Sequence, residues 1–522
     1  MGPAGAAEAA RGLFHRCCSV IVPIRQTAPG VISMGGGSEA AVSLAGRPQL
    51  WPVLAVLLAI GVRAWVAIDQ QVVFNDGPQF MASARLFAEG QFGAALAGPF
   101  HPLTAFLMAV TSSLTGVGLE AAGRILSVVS GGVAAAALYL LARALFDERV
   151  ALVSALVFAV HPQLVEAASN VQSDGIYLAL LLVGALLAWR ALQSGRFVHG
   201  LGAGVVSGLA YLARPEGLAV GVVLGIWLIV AAVSRRMSWR RLISVGAGFA
   251  TAVLLLGGPY VLTLQAATGS WVLTQKKRVI PLEWSLPVPA RTGEALAAEG
   301  SALLRAFRPP YLVLALFAFR RRRPSRATLY LFSYAALFLP VLLGVHLEAG
   351  YVGARHWLGP VALLMPFVAL GCLRLGQRLQ EFVLPWRVHS WATPALVGLL
   401  LGASLAYNLQ PHTEPAKLAR KQAALWLRTQ HPDAVAAPRS RVAHYAGAKR
   451  YVPLVDTRDL SSLRDWLRVQ GADYVIAEEE RLPPALLGEV VGLHEVHRVE
   501  YPGGSVRVLR VETALDVASP GP

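Results

Sequence analysis

Seven residues, Phe74-Asn75-Asp76-Gly77-Pro78-Gln79-Phe80, place a carboxylate among turn formers directly after a long apolar run, residues 50–68. An acidic group where a chain leaves a bilayer supports three readings. It is a general base, a metal ligand, or a solvated residue of good Asn-Asp-Gly-Pro turn chemistry. A second carboxylate, Asp174, opens a later apolar run in Val171-Gln172-Ser173-Asp174-Gly175-Ile176-Tyr177. There Asp174 or Ser173 can cap the free N–H groups of a helix. Alternatively it joins Asp76, since paired carboxylates divide into a base and an orienter or metal ligand.

Other ionisable groups inside or beside apolar runs are costly to keep there, which makes them candidates by default. His101, before Pro102, ranks above His161, which interrupts an apolar run ahead of Glu166. Arg124 belongs to the same class. Arg214-Pro215-Glu216 reads as a turn whose plainest explanation is a mutual ion pair. Lys276-Lys277-Arg278 lies in the long loop 266–307, and Glu348, Tyr351, Arg355, His356 and Trp357 crowd a later loop. On an external face, the basic triplet runs against the positive-inside bias; binding an anionic phosphate would account for it. Arg355, opening a crossing, has the chemistry to hold a lipid-linked phosphate, though simple snorkelling would look similar.

These residues need a scaffold, and the composition names its class. The 522 residues are 55% hydrophobic and only 15% charged, with a mean hydropathy of +0.54. Apolar runs long enough for the ~30 Å hydrocarbon core recur between residues 50 and 409. The pattern is that of a polytopic α-helical membrane protein, not of a β-barrel with short alternating segments. The formal charge of +16 reflects basic residues in short loops, so orientation in the membrane explains it better than nucleic acid. Three cysteines, Cys17, Cys18 and Cys372, give no disulfide framework.

Apolar segments fall at 50–69, 101–117, 124–145, 150–168, 175–192, 198–213, 215–234, 240–265, 308–319, 327–346, 357–377 and 389–409. Arg320 to Arg323 with Arg326, then Arg235, Arg236, Arg240 and Arg241, and then Arg374, Arg378 and Arg387, anchor three loops in the cytoplasm. Alternation from these anchors puts 266–307, 347–356 and the C-terminal tail outside. Segment 101–117 is short and opens with His101-Pro102, so it is read as a re-entrant or surface-lying helix. About eleven crossings remain, with residues 1–48 as a disordered cytoplasmic tail and no signal peptide. Asp76 and Asp174 then share the external side. Residues 82–97 are expected to form an amphipathic helix on that face, with Leu86, Phe87, Phe92 and Leu96 available to the interface.

Residues 410–522 have a soluble character and follow the membrane domain, 49–409. A helix is expected at 417–430, strands at 435–437, 451–455 and 472–477, a helix at 460–469, and a hairpin of 496–501 with 506–511. Alternating strands and helices indicate a small α/β domain. It carries no phosphate loop and no catalytic cluster, and is read as an accessory domain or lid.

Assembled in order, these pieces resemble the GT-C glycosyltransferases, in particular the protein O-mannosyltransferase and aminoarabinose-transferase type. The resemblance rests on Asn75-Asp76, His101-Pro102-Leu103, Gly123-Arg124-Ile125-Leu126-Ser127 and Tyr139-Leu140-Leu141-Ala142-Arg143. It continues through His161-Pro162, Ser173-Asp174, Leu212-Ala213-Arg214-Pro215-Glu216 and Arg355-His356-Trp357 with Pro360. It implies a transferase using a polyprenyl-phosphate-linked sugar, with a lipid, glycan or protein as acceptor and the site on the external face of a bacterial plasma membrane. Asp76 maps to the family's catalytic base and Asp174 to its second acidic residue; 101–117 maps to its juxtamembrane helix. A divalent metal stays open as a cofactor. The chain departs from many relatives at Asn75 and Gly77, where they carry a second acidic residue, and at Phe100-His101, where some carry a Glu-Lys pair. The rivals are a transporter or flippase of lipid-linked sugars, a surface-polysaccharide ligase or polymerase, and a non-catalytic scaffold.

Overall fold

The computed structural model describes residues 50–275, 289–319, 324–349, 352–382, 391–454, 463–482 and 493–511. The 1–48 tail, Lys276, Lys277, Arg278, Arg320 to Arg323, Tyr351 and Arg387 lie outside these described residues.

The membrane part is built from helices α1 (Leu50–Asp69), α2 (Gly77–Ala88), α3 (Phe92–Leu96), α4 (Pro102–Thr115), α5 (Leu119–Leu145), α6 (Glu148–Val160), α7 (Pro162–Ala167), α8 (Asp174–Ser194) and α9 (Phe197–Ala213). A 3₁₀ turn, Pro215–Leu218, leads into α10 (Ala219–Val233), α11 (Trp239–Thr268), α12 (Pro289–Phe307), α13 (Pro309–Phe317) and α14 (Arg326–Ala349). A second 3₁₀ turn, Ala354–Trp357, precedes α15 (Leu358–Phe382) and α16 (Ala392–Asn408). Among the described residues, seven stretches are long and apolar enough to cross a membrane: α1, α5, α8, α11, α14, and α10 and α15 with their preceding turns. The expected eleven crossings add four shorter pieces, namely α6 with α7, α9, α13 and α16.

Helix α4 has 14 residues, about 21 Å at 1.5 Å per residue and shorter than the hydrocarbon core; α13, with nine residues, is shorter still, so length alone does not set α4 apart from the expected crossings. The expected single helix at 82–97 is instead two. Helix α2 starts earlier, at Gly77, and stops at Ala88; α3 follows after a turn at Gly90, where φ is +76°. Phe87 is not free for a lipid interface: it is 7% exposed and packs against Phe92 and Phe106. A 12-residue helix can turn an aromatic onto its neighbour α4, and burial there outweighs exposure at the surface.

Close helix contacts are made by small residues, as expected where lipid is as apolar as the side chains. Gly200 and Gly204 on α9 face the backbone of α11. A Cβ at Gly204 would clash with the carbonyl oxygen of Phe249, so only glycine permits this approach. Between α6 and α7 the chain breaks at His161-Pro162, because proline disfavours helical geometry in the residue before it. The carbonyls freed there accept from Arg63, a fully buried residue of α1. Its guanidinium donates to Ala159 (3.0 Å), Leu164 (3.2 Å) and Phe158 (3.4 Å).

The C-terminal part comprises α17 (Pro415–Arg428), β1 (Ala434–Ala437), α18 (Ser440–Tyr445), β2 (Arg450–Pro453), α19 (Leu463–Val469), β3 (Tyr474–Glu478), β4 (Leu493–Tyr501) and β5 (Gly504–Val511). Its sheet runs β2-β1-β3-β5-β4. The first three strands are parallel, joined through α18 and α19, and β5 is antiparallel to both β3 and β4. The hairpin turns at Gly503, whose φ of +103° suits glycine. Helix α18 lies in a stretch for which the sequence reading named no element. One buried cluster joins the two parts: Val72, Val73, Phe80 and Ala84 pack with Ala423, Leu427, Val442 and Tyr445.

Candidate active site

Asp76 is the N-cap residue of α2, yet its side chain makes no capping hydrogen bond. The turn chemistry resides in the backbone, where the Gly77 N–H donates to the Phe74 carbonyl at 2.9 Å. The carboxylate is thereby left for another partner. Arg355 Nη2 donates to Asp76 Oδ2 at 3.0 Å. The same nitrogen lies 3.4 Å from Asp174 Oδ2, and the guanidinium sits over the Phe74 ring at 5.0 Å. One arginine therefore bridges both sequence-predicted carboxylates.

Asp174 occupies the first turn of α8, and neither it nor Ser173 makes a side-chain cap. Its other oxygen accepts from Arg214 Nη1 at 2.5 Å. Arg214 also pairs with Glu216 at 2.8 Å and 3.3 Å. The expected Arg214–Glu216 pair is present and extends to Asp174. Burial lowers the Arg214 pKa, but the two carboxylates outweigh that and hold it above its ordinary range. Exposure separates the two acids. The Asp174 side chain is 2% exposed, whereas Asp76 and Arg355 are 22% and 25% exposed. Both acids also sit at helix N-termini, where the backbone dipole favours negative charge.

The remaining candidates divide. Arg124 ion-pairs with Glu120 at 2.8 Å and donates to the carbonyls of Ala67 and Gln70, so it secures the end of α1. His101 is 2% exposed between the rings of Tyr211 (5.1 Å) and Tyr260 (5.2 Å). His161 is fully buried in the core, where its Nε2 lies 3.1 Å from the Phe307 carbonyl and its ring packs on Tyr311. His356 turns back on its own loop, its Nδ1 accepting from the Gly353 N–H at 3.1 Å.

Three residues that the sequence reading passed over shape the site. Asn170 holds the segment leading to Asp76: its Oδ1 accepts from Phe74 N–H at 3.0 Å, and its Nδ2 donates to Gln70 Oε1 at 2.7 Å and to the Val72 carbonyl at 3.2 Å. Glu299 of α12, 2% exposed, accepts from Trp357 Nε1 at 2.9 Å and so braces the turn carrying Arg355. Burial pushes its carboxyl above the usual range. Arg63 fixes the broken α6–α7 backbone. An arginine inside the first apolar run was the available signal for Arg63; nothing local marked the other two.

A resident divalent metal does not fit these groups. A guanidinium already bridges the two carboxylates and supplies the positive charge a cation would bring. Among the described residues no three His, Cys, Asp or Glu side chains gather as a ligand set.

Residues 98–276 match the family model described as dolichyl-phosphate-mannose-protein mannosyltransferase. No curated protein sequence matches significantly. Among solved structures, ArnT from Cupriavidus metallidurans in the apo state superposes with a TM-score of 0.56 at 15% identity, over 90% of this chain and 99% of that one. The same protein bound to undecaprenyl phosphate gives 0.54 at 15% identity, with the same coverage. The oligosaccharyltransferase AglB from Archaeoglobus fulgidus, in complex with an inhibitory peptide and a dolichol-phosphate, gives 0.51 at 13% identity, over 83% of this chain and 69% of that one. The chain shares the fold of these membrane glycosyltransferase structures, and residues 98–276 are similar to the mannosyltransferase family model.

Proposed function

We propose that this protein moves a sugar from a polyprenyl-phosphate-linked donor to a lipid, glycan or protein acceptor, on the external face of a bacterial plasma membrane. In this orientation the N-terminus is cytoplasmic and residues 410–522 are extracytoplasmic. Asp76 is the general base. It takes the proton from an acceptor hydroxyl or amine as that group bonds to the anomeric carbon. The bond between that carbon and the phosphate oxygen breaks, and the lipid phosphate leaves with the electron pair. A single displacement inverts the anomeric configuration.

The observation carrying this reading is the shared guanidinium: Arg355 joins a reachable carboxylate, Asp76, to a buried one, Asp174. Buried and held by Arg214, Asp174 orients; Asp76, partly exposed, meets substrate. Without donor, Arg355 neutralises Asp76. A lipid phosphate competes for the guanidinium, with charge-assisted hydrogen bonds on the phosphate side, and leaves Asp76 free to accept a proton. Lys276, Lys277 and Arg278 are proposed as further phosphate-binding groups, and Tyr351 and His356 as groups near the donor. The donor assignment is supported by the lipid phosphates that ArnT and AglB bind.

Incubation of the purified protein with candidate polyprenyl-phosphate sugars, followed by mass spectrometry of released lipid phosphate, tests the reaction. Positioned base catalysis contributes about 10²–10⁴-fold, so Asp76→Asn should lose at least about 10²-fold in rate with unchanged thermal unfolding. Transfer at the wild-type rate by that variant would rule Asp76 out as the base.

A further inference from the structure

The segment that delivers Asp76 is held along both edges by side chains. Residues 71–75 link α1 to α2 without regular secondary structure, and successive residues direct their backbone hydrogen bonds to opposite sides. The odd-numbered residues all face the C-terminal part. The Gln71 N–H donates to Thr413 Oγ1 at 3.1 Å, and its carbonyl accepts from Lys421. The Val73 N–H donates to the Tyr445 hydroxyl at 2.8 Å, and its carbonyl accepts from Arg441 Nη1 at 3.4 Å. The Asn75 carbonyl accepts from the Ser440 hydroxyl at 3.1 Å. The even-numbered residues Val72 and Phe74 face Asn170 of the membrane part.

We propose that Tyr445, Arg441 and Ser440 of α18 are positioning residues for Asp76, and that the C-terminal domain is thus a built part of the active site. The inference rests on the proposed role of Asp76. Because the backbone hydrogen bonds alternate between two sets of partners, a one-residue slip would exchange the sets. Such a slip would carry Phe74 away from the Arg355 guanidinium and break the Asp76–Arg355 pair. Asn170 grips only the even-numbered edge. Helix α18 fixes the other, two of its contacts falling on Val73, whose side chain is fully buried. The grip is itself anchored: Val442, Ala443 and Tyr445 are buried in the cluster that holds Val72 and Val73, and Lys421 stands over the Tyr445 ring at 4.7 Å. This is a stronger role than that of an accessory domain or lid, because a lid would cover the site without setting the register of the chain that carries the base.

The test uses the full chain in nanodiscs, as wild type, Tyr445→Phe, Ser440→Ala and Ser440→Thr, with two readouts. Amide hydrogen exchange over residues 69–76 should quicken about tenfold in Tyr445→Phe, which leaves the Val73 N–H without its acceptor. Sugar transfer should lose about tenfold in kcat, with the donor KM held within about twofold. Ser440→Thr should keep the wild-type kcat where Ser440→Ala loses it. Wild-type exchange in Tyr445→Phe, or a raised KM at unchanged kcat, overturns the inference. A wild-type protein that transfers no sugar from any polyprenyl-phosphate donor overturns the proposed function instead. The exchange readout still decides the register claim in that case: faster exchange in Tyr445→Phe supports it, and equal exchange overturns it.

Discussion

Arg355 is the residue on which the site converges, and its geometry explains why an arginine stands there. One nitrogen reaches Asp76 and Asp174 while the planar group lies over Phe74. A lysine ammonium is a point charge on a flexible stem and cannot reproduce a bridge and a stack together. Arg355→Lys should therefore keep the charge but loosen the proposed hold on the donor phosphate. Hydrogen bonds to charged groups contribute about 1.5–3 kcal/mol, which corresponds to a rise of roughly 10–150-fold in donor KM. Steady-state kinetics against donor concentration, with inhibition by free polyprenyl phosphate as a second measure, checks this. Asp174 illustrates what a sequence leaves open at the scale of one residue. Its position at a helix start made capping an adequate explanation; the structure gives its oxygens to Arg214 and Arg355.

Among the elements, the packing of α9 on α11 places Arg214 at the end of α9, where it meets Asp174. That contact depends on Gly200 and Gly204 meeting the α11 backbone. Gly204→Leu should overpack the contact and cost about 1–3 kcal/mol, visible as a lower unfolding temperature in detergent. Activity should fall with it as Arg214 shifts. The helix pattern itself was largely legible: apolar runs predicted α1, α5, α8, α11 and α14 to within a few residues, because continuous hydrophobicity is a strong signal at bilayer length. The 82–97 helix was misjudged. Phe87 suits a lipid interface and a neighbouring helix equally, and the position of α4 selects the second, while Phe92 stays 55% exposed.

At the scale of the molecule, the junction between the membrane helices and the C-terminal sheet should respond to acid. His444 of α18 is half-buried beside Arg85 of α2 and Arg428 of α17, with Glu120 of α5 opposing them. Burial first, and the arginines next, hold its pKa below that of a free histidine. Its folded-state pKa is thus depressed relative to the unfolded chain. As pH falls through about 6.5 the unfolded state takes up the proton first, so stability drops with acidification and is retained above that pH. Unfolding temperatures of the wild type should fall between pH 7.5 and 5.5 more steeply than those of His444→Gln. Equal slopes would remove His444 from the junction's acid response.

By itself the sequence determined a polytopic helical membrane chain, its apolar segments, the α/β character of its C-terminal part, and a short set of charged candidates. Hydrophobic length, strand alternation and the cost of charge in lipid are local properties, so they are written in the local order of residues. Only the tertiary structure decided which candidates meet. Asp76, Asp174, Arg214 and Arg355 come from four separated places in the chain, and Asn170 and Tyr445 grip the Asp76 segment from two more. Those contacts depend on how helices and sheet close on one another, and no local pattern encodes that closure.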